Sequence, residues 1–163
     1  ESLQIQLVKL GDTFVLDDVP AYIAEPGITY QVQIQNIGWQ DVKRSGGIAG
    51  TQGKALRIEA LKINIGNNGE DQSNAVQYAS QVQNIGWQAP VSNGQISGTV
   101  GQSLRLEALK INLTGRISQY FDINYASQVQ NIGWQAPVSN GQISGTVGMS
   151  LRVEAVKLSL SPK

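Results

Sequence analysis

Residues 78–101 read YASQVQNIGWQAPVSNGQISGTVG, and residues 125–148 repeat them without a single change. A looser copy surrounds Trp39. The three tryptophans, Trp39, Trp87 and Trp134, lie 48 and 47 residues apart, and each follows a tyrosine (Tyr30, Tyr78, Tyr125) by nine positions. Downstream, Gly-Thr recurs at Gly50, Gly98 and Gly145, and a Leu-Arg-x-Glu-Ala run begins at Leu56, Leu104 and Leu151. No unit contains an insertion, so length varies only in the connections. A period of this size implies one supersecondary unit per repeat, too small to bury its own apolar face and therefore dependent on its siblings. The expectation is a single domain over residues 1–163, with repeat cores at 30–65, 78–113 and 125–160. A strand at 2–10 precedes them, because Leu3, Ile5, Val8, Lys9 and Leu10 match Leu56, Ile58, Leu61, Lys62 and Ile63.

Within a unit the pattern reads as β-structure cut by glycine turns. The run SLRLEALKINL contains good helix formers, yet glycines precede it, and Leu104, Leu106 and Ala108 alternate with Arg105 and Glu107. A strand is the better reading. Its apolar face switches between Ala108 and Leu109, which predicts a bulge or bend there. The Tyr-to-Trp segment shows a similar switch, with Tyr78 and Val82 on one face and Ile85 and Trp87 on the other, so a kink is expected at Asn84 to Gly86. In the connection after unit two, Arg116 to Asp122 suits a helical turn over Ile117, Tyr120 and Phe121. Asn67 to Asp71 reads as a polar loop without the oxygen spacing of a calcium site. Three equivalent all-β units most naturally close about a pseudo-threefold axis. A β-prism is the first expectation, a β-trefoil the alternative and an open array the third. The extra first strand favours closure, since it could cover a sheet edge where the chain ends meet.

Composition narrows the function. The 163 residues contain 12 Lys and Arg and 12 Asp and Glu, so there is no basic surplus for a nucleic acid or an anionic membrane. With neither Cys nor His, the chain has no disulfide, no thiolate, no His-based triad and none of the common zinc sites. No cofactor or metal is expected. No stretch approaches the roughly 20 apolar residues of a membrane helix. The chain begins at Glu1 and carries one methionine, Met149, which reads as a processed or excised piece.

The motif Tyr-x-x-x-Val-Gln-Asn-Ile-Gly-Trp-Gln, followed by Val-Ser-Asn-Gly, Ser-Gly-Thr-x-Gly and Leu-Arg-Leu-Glu-Ala-x-Lys-Ile, resembles the clostridial hydrophobic repeat with conserved tryptophan, the ChW repeat. The resemblance covers nearly all of each unit. It implies an extracellular or surface protein of clostridia and related Gram-positive bacteria, in which such repeats accompany hydrolases, peptidases or adhesion modules. It also implies binding to polysaccharide, cell wall or other proteins. Where that family often carries His, this chain has Gln33, Gln81 and Gln128, so no role by protonation is available there.

Three sets of residues could meet a ligand. Trp39, Trp87 and Trp134 could stack on a pyranose while Gln40, Gln88 and Gln135 hold hydroxyls, although a Trp recurring once per repeat reads first as the buried keystone of its unit. Arg57 and Glu59, with their counterparts Arg105 and Glu107, and Arg152 and Glu154, read as a ladder between strands before a ligand clamp. Their triplication beside arginine argues against paired catalytic carboxylates. The turn carrying Ser92 and Asn93, and Ser139 and Asn140, is the best exposed candidate, although turn chemistry alone selects Asn-Gly. Unit one replaces it with Asp41, Lys43, Arg44 and Ser45. The sum is a non-catalytic extracellular module for a neutral glycan or cell-wall polymer, made avid by repetition. The alternative is a protein-interaction, scaffolding or adhesion module.

Overall fold

The computed structural model of the chain describes residues 26–66 and 74–163. The strand expected at 2–10, the polar loop from Asn67 and most of the linker before Gly27 lie outside the described residues. What remains is all-β, with a single-turn 3-10 helix at Arg116–Gln119.

Each unit begins with a long strand, makes three two-residue strands and ends on a second long strand. In unit one these are β1 (Gly27–Ile34), β2 (Gly38–Trp39), β3 (Lys43–Arg44), β4 (Ala49–Gly50) and β5 (Ile58–Gly66). Unit two supplies β6 (Val76–Val82), β7 (Gly86–Trp87), β8 (Val91–Ser92), β9 (Ser97–Gly98) and β10 (Leu106–Leu113). Unit three supplies β11 (Phe121–Val129), β12 (Gly133–Trp134), β13 (Val138–Ser139), β14 (Ser144–Gly145) and β15 (Val153–Pro162). In each case the two long strands pair antiparallel, and the first two short strands fold back along the first long one.

The fourth strand of every unit leaves home. β9 of unit two pairs with β5 of unit one, β14 of unit three with β10 of unit two, and β4 of unit one with β15 of unit three. The exchange therefore closes on itself and gives three five-stranded sheets. A glycine makes each donated strand possible. Gly98, at φ 102°, sits so close to unit one that a Cβ would press on the Glu59 carbonyl oxygen and lie 2.8 Å from Ala60 Cα. Gly50 and Gly145 are placed alike against Glu154 and Glu107.

Strand alternation explains the core. In β1, Ile28, Tyr30, Val32 and Ile34 point inward and are buried, while Thr29, Gln31 and Gln33 face out. The bulge expected in the last strand is present, one residue earlier than the face switch suggested: Leu106 lies opposite Val82 and Ala108 opposite Gln81, leaving Glu107 as the extra residue. Glu59 and Glu154 occupy the same position in their strands. The kink at Asn84 is a full reversal, a turn closed by the Ile85 N–H on the Val82 carbonyl at 3.0 Å with Asn84 at φ 64°. After unit two, Ile117 is buried beneath the 3-10 turn and Phe121 enters β11.

The keystones are tyrosines. Tyr30, Tyr78 and Tyr125 are each 1% exposed. The Tyr78 hydroxyl accepts the Ile63 N–H of unit one at 3.1 Å and donates to the Gln95 carbonyl of its own unit. Tyr125 accepts from Ile111 at 3.1 Å and Tyr30 from Leu158 at 3.2 Å, so the clasp runs round all three units. Beside it, the Gly94, Gly141 and Gly46 N–H groups donate to the Ile63, Ile111 and Leu158 carbonyls at 2.7–2.8 Å. The outer edge of each last strand, which would otherwise present unpaired backbone, is thus covered by the next unit.

Candidate functional site

Two-residue strands carry no periodicity of their own, so the face on which the tryptophans lie is set by their partners. Trp39 pairs with Gln33, Trp87 with Gln81 and Trp134 with Gln128. These glutamines face out from the first long strand, and residues directly paired across strands share a face. The tryptophans therefore lie on the outer surface of the sheets, partly buried and outside the hydrophobic core. This corrects the expectation of a buried keystone. Each indole instead carries a lysine: the Lys62, Lys110 and Lys157 ammonium groups stand 4.5, 4.4 and 4.6 Å from the ring centroids of Trp39, Trp87 and Trp134. Such an arrangement contributes about 0.5–1 kcal/mol at an exposed site.

The neighbouring glutamines are engaged. The Gln88 amide accepts the Gly98 N–H at 2.7 Å and donates to the Gly98 carbonyl at 3.3 Å; Gln40 and Gln135 hold Gly50 and Gly145 in the same two-point fashion. These amides fix the donated strands. Asn93 is likewise bound into the frame, accepting the Ile65 N–H of unit one at 2.8 Å and donating to its carbonyl at 3.3 Å. Asn140 behaves differently. It accepts the Ile123 N–H at 3.0 Å within its own unit and donates to Asp122 at 2.8 Å. The Ser92 and Ser139 N–H groups are held by the Gln95 and Gln142 side chains at 2.7 and 2.8 Å, and the Ser139 hydroxyl also donates to Asn124 at 2.7 Å.

The arginine and glutamate pairs are local ion pairs, each joining the residue just before the last strand to that strand's second residue at 2.7–2.8 Å from Nε to Oε2, and not a ladder between strands. The bulge turns Glu59, Glu107 and Glu154 inward to 6–7% exposure, and the arginine two residues earlier folds over each. All three carboxylates are in the same environment, each bound by its arginine.

Beside the Trp-Lys pair a shallow groove runs along the outer face. In unit two it is lined by Gln77, Tyr78, Ala79, Pro90, Lys110 and Asn112, with a volume of about 80 Å³. In unit three the equivalent groove of about 160 Å³ is lined by Asn124, Ala126, Pro137, Lys157 and Ser159, and Gly46 of unit one closes its far side. Unit one differs at both positions that shape it. Gln31 stands where the other units have Ala79 and Ala126, its amide donating to the Gln40 carbonyl at 2.9 Å, and Val42 replaces the proline. Alanine, proline and lysine at these positions are plain residues with no chemical signature. The signal available was the contrast between Tyr-Ala-Ser-Gln and Tyr-Gln-Val-Gln in otherwise aligned units.

The tyrosines have raised pKa values. Burial pushes Tyr78 up to about 12, against a smaller lowering by its bond with Ile63; burial likewise raises Tyr30 and Tyr125. Among the described residues no cluster of carboxylates, His or Cys is arranged to hold a metal, and no helix is long and apolar enough to cross a membrane. Set against known protein families, the chain matches the family described as clostridial hydrophobic W three times, over residues 33–67, 81–115 and 128–162. Neither a curated protein nor a solved structure matches it.

Proposed function

As the chain belongs to the clostridial hydrophobic W family, we propose that it is a non-catalytic module of the cell surface or extracellular space that binds a glycan or cell-wall polymer. The observation that carries the reading is the outer-face groove that occurs at equivalent positions beside the lysine-covered Trp87 and Trp134, with Ala, Pro and Lys in common, whereas Gln31 and Val42 replace the Ala and Pro in unit one. An Ala-Pro surface with polar rims of Gln77, Asn112 and Asn124 suits a sugar ring, apolar on its face and hydrogen-bonding at its rim. Grooves this small grip one or two rings weakly, and two of them on one rigid body supply avidity along a polymer. The cyclic strand exchange supports a single cooperative domain whose three sheets surround a pseudo-threefold axis, as in a β-prism.

The test is a binding screen of purified glycans and cell-wall fractions, run with the protein and with Ala79→Gln/Ala126→Gln, which copies the filling of unit one. Retention by a polysaccharide fraction, lost in the double variant while circular dichroism shows the fold retained, is the expected result; because Ala79 and Ala126 are buried, the melting temperature falls with the substitution. A second reading, a protein-interaction module, is favoured by one observation: apolar side chains recur in exposed positions, among them Ile85, Ile132, Ile96 and Ile143 at 46–50% exposure. Capture of a surface protein that survives the groove-filling substitutions would favour it.

A further inference from the structure

The overall charge balance of the chain points to a neutral ligand, but the groove itself is not neutral. Lys110 lines the groove of unit two and Lys157 that of unit three. Each ammonium is held over an indole at 4.4–4.6 Å. Among the described residues, Arg57, Arg105, Arg152 and Lys163 are paired with carboxylates, whereas neither Lys110 nor Lys157 has a carboxylate within 4 Å. A lysine that served only to pack its stem on the tryptophan would gain nothing from being directed into a groove. One positioned by an aromatic ring and free of a carboxylate retains its attraction for an incoming anion.

The surrounding charges reinforce the point. The groove of unit two contains no acidic lining residue. At unit three, the neighbouring turn that reaches in with Gly46 also carries the exposed Arg44. Asp122 lies two residues along β11 from Asn124; it accepts from Asn140 at 2.8 Å and stands 3.7 Å from Lys163. Unit one, whose groove is filled, places Asp41 where units two and three have Ala89 and Ala136. Among the described residues, Lys110 and Lys157 thus have no carboxylate within 4 Å, and unit one, with Gln31 and Val42 in place of the Ala and Pro, carries an acid in its turn.

Resting on the glycan reading above, we infer that the grooves of units two and three bind a saccharide polymer bearing a negative charge, a carboxylate or a phosphodiester, with Lys110 and Lys157 pairing the charge while the ring lies against the Trp-Ala-Pro surface. Binding by calorimetry at low salt should be compared for a uronic acid hexamer, a glycerol-phosphate oligomer and a neutral glucan hexamer. The two anionic probes distinguish the sources of the charge. The expected result is a preference of at least about tenfold for one anionic probe over the glucan, weakening as salt screens the pair. Lys110→Met/Lys157→Met, which keeps a flexible stem on each indole, should abolish that preference while lowering the melting temperature by no more than about 2–8 °C, and Lys62→Met should leave binding intact. Glucan binding equal to or tighter than both anions, indifferent to the lysine variants but lost in Ala79→Gln/Ala126→Gln, would overturn this inference and spare the glycan reading. Failure of all three probes together with the cell-wall fractions would overturn both.

Discussion

Tyr78→Phe removes one oxygen atom and leaves the volume of the core unchanged, which makes it a clean probe of the clasp between units. In the structure that oxygen accepts the Ile63 N–H at 3.1 Å and donates to the Gln95 carbonyl. The side chain is 1% exposed, so water cannot easily replace it. Both backbone groups lose their partner in the variant, and a buried polar group left unsatisfied costs about 1–3 kcal/mol. The loss should therefore be about 2–6 kcal/mol. In a chain of this size 1 kcal/mol moves the melting temperature by roughly 2–4 °C, so a loss near the middle of that range lowers it by about 8–16 °C. Urea denaturation of the protein and the variant supplies the free energy, with an unchanged slope showing that the same surface is exposed. Tyr30→Phe and Tyr125→Phe should cost similar amounts. Tyr120→Phe, at a partly exposed position, should fall within about 0.5 kcal/mol of zero. If Tyr78→Phe also falls within that range, the hydroxyl does not join the units and the clasp is refuted.

Other outcomes follow from the same geometry. Because the folded-state pKa of Tyr78 is raised above the ordinary value of 10.0 to about 12, and those of Tyr30 and Tyr125 are raised too, the folded protein holds these protons more tightly than the unfolded chain. Stability should be unaffected by them below about pH 10 and should fall as pH rises from 10 toward 12; denaturation midpoints measured from pH 8 to 12 read this, and a flat profile would contradict it. Trp87→Ala should cost about 1–2 kcal/mol, below the roughly 3–5 kcal/mol of a core aromatic, since the indole is only partly buried; chemical denaturation decides between the two. Gly98→Ala should be among the most damaging single substitutions, because the added carbon forces β9 off unit one, and thermal melting should show a loss of several degrees or failure to fold.

How far these features could be read in advance depends on where their causes lie. The repeats, the strands and the turns were legible, because Tyr, Gly and Trp recur at fixed spacing and Leu106, Leu109 and Ile111 declare a face. The bulge was legible as a face switch, but its position was not, since Glu107 becomes the extra residue only in register with Val82 and Gln81. The tryptophans were misread as buried because a two-residue strand has no pattern of its own; the face comes from Gln33, Gln81 and Gln128 across the hairpin. The strand exchange was hidden for a related reason. Nothing in Ser-Gly says whose sheet it joins, and the answer rests on partners 35 to 38 residues away within the chain and, for Ala49-Gly50, on Val156 and Ala155, 107 and 105 residues away. Gln88 and Asn93 looked like free amides because their partners, the backbones of Gly98 and Ile65, meet them only in the folded state.

The most direct test of the account is a count of binding sites. Isothermal titration with a short soluble oligosaccharide, selected from the fraction the protein retains, should give a stoichiometry of two. Ala79→Gln or Ala126→Gln alone should reduce it to one, and the double variant should reduce it to zero, each with the circular dichroism spectrum of the folded protein. A stoichiometry of one or three in the parent protein, or a count of two that survives both substitutions, would show that the ligand meets the molecule somewhere other than the paired grooves.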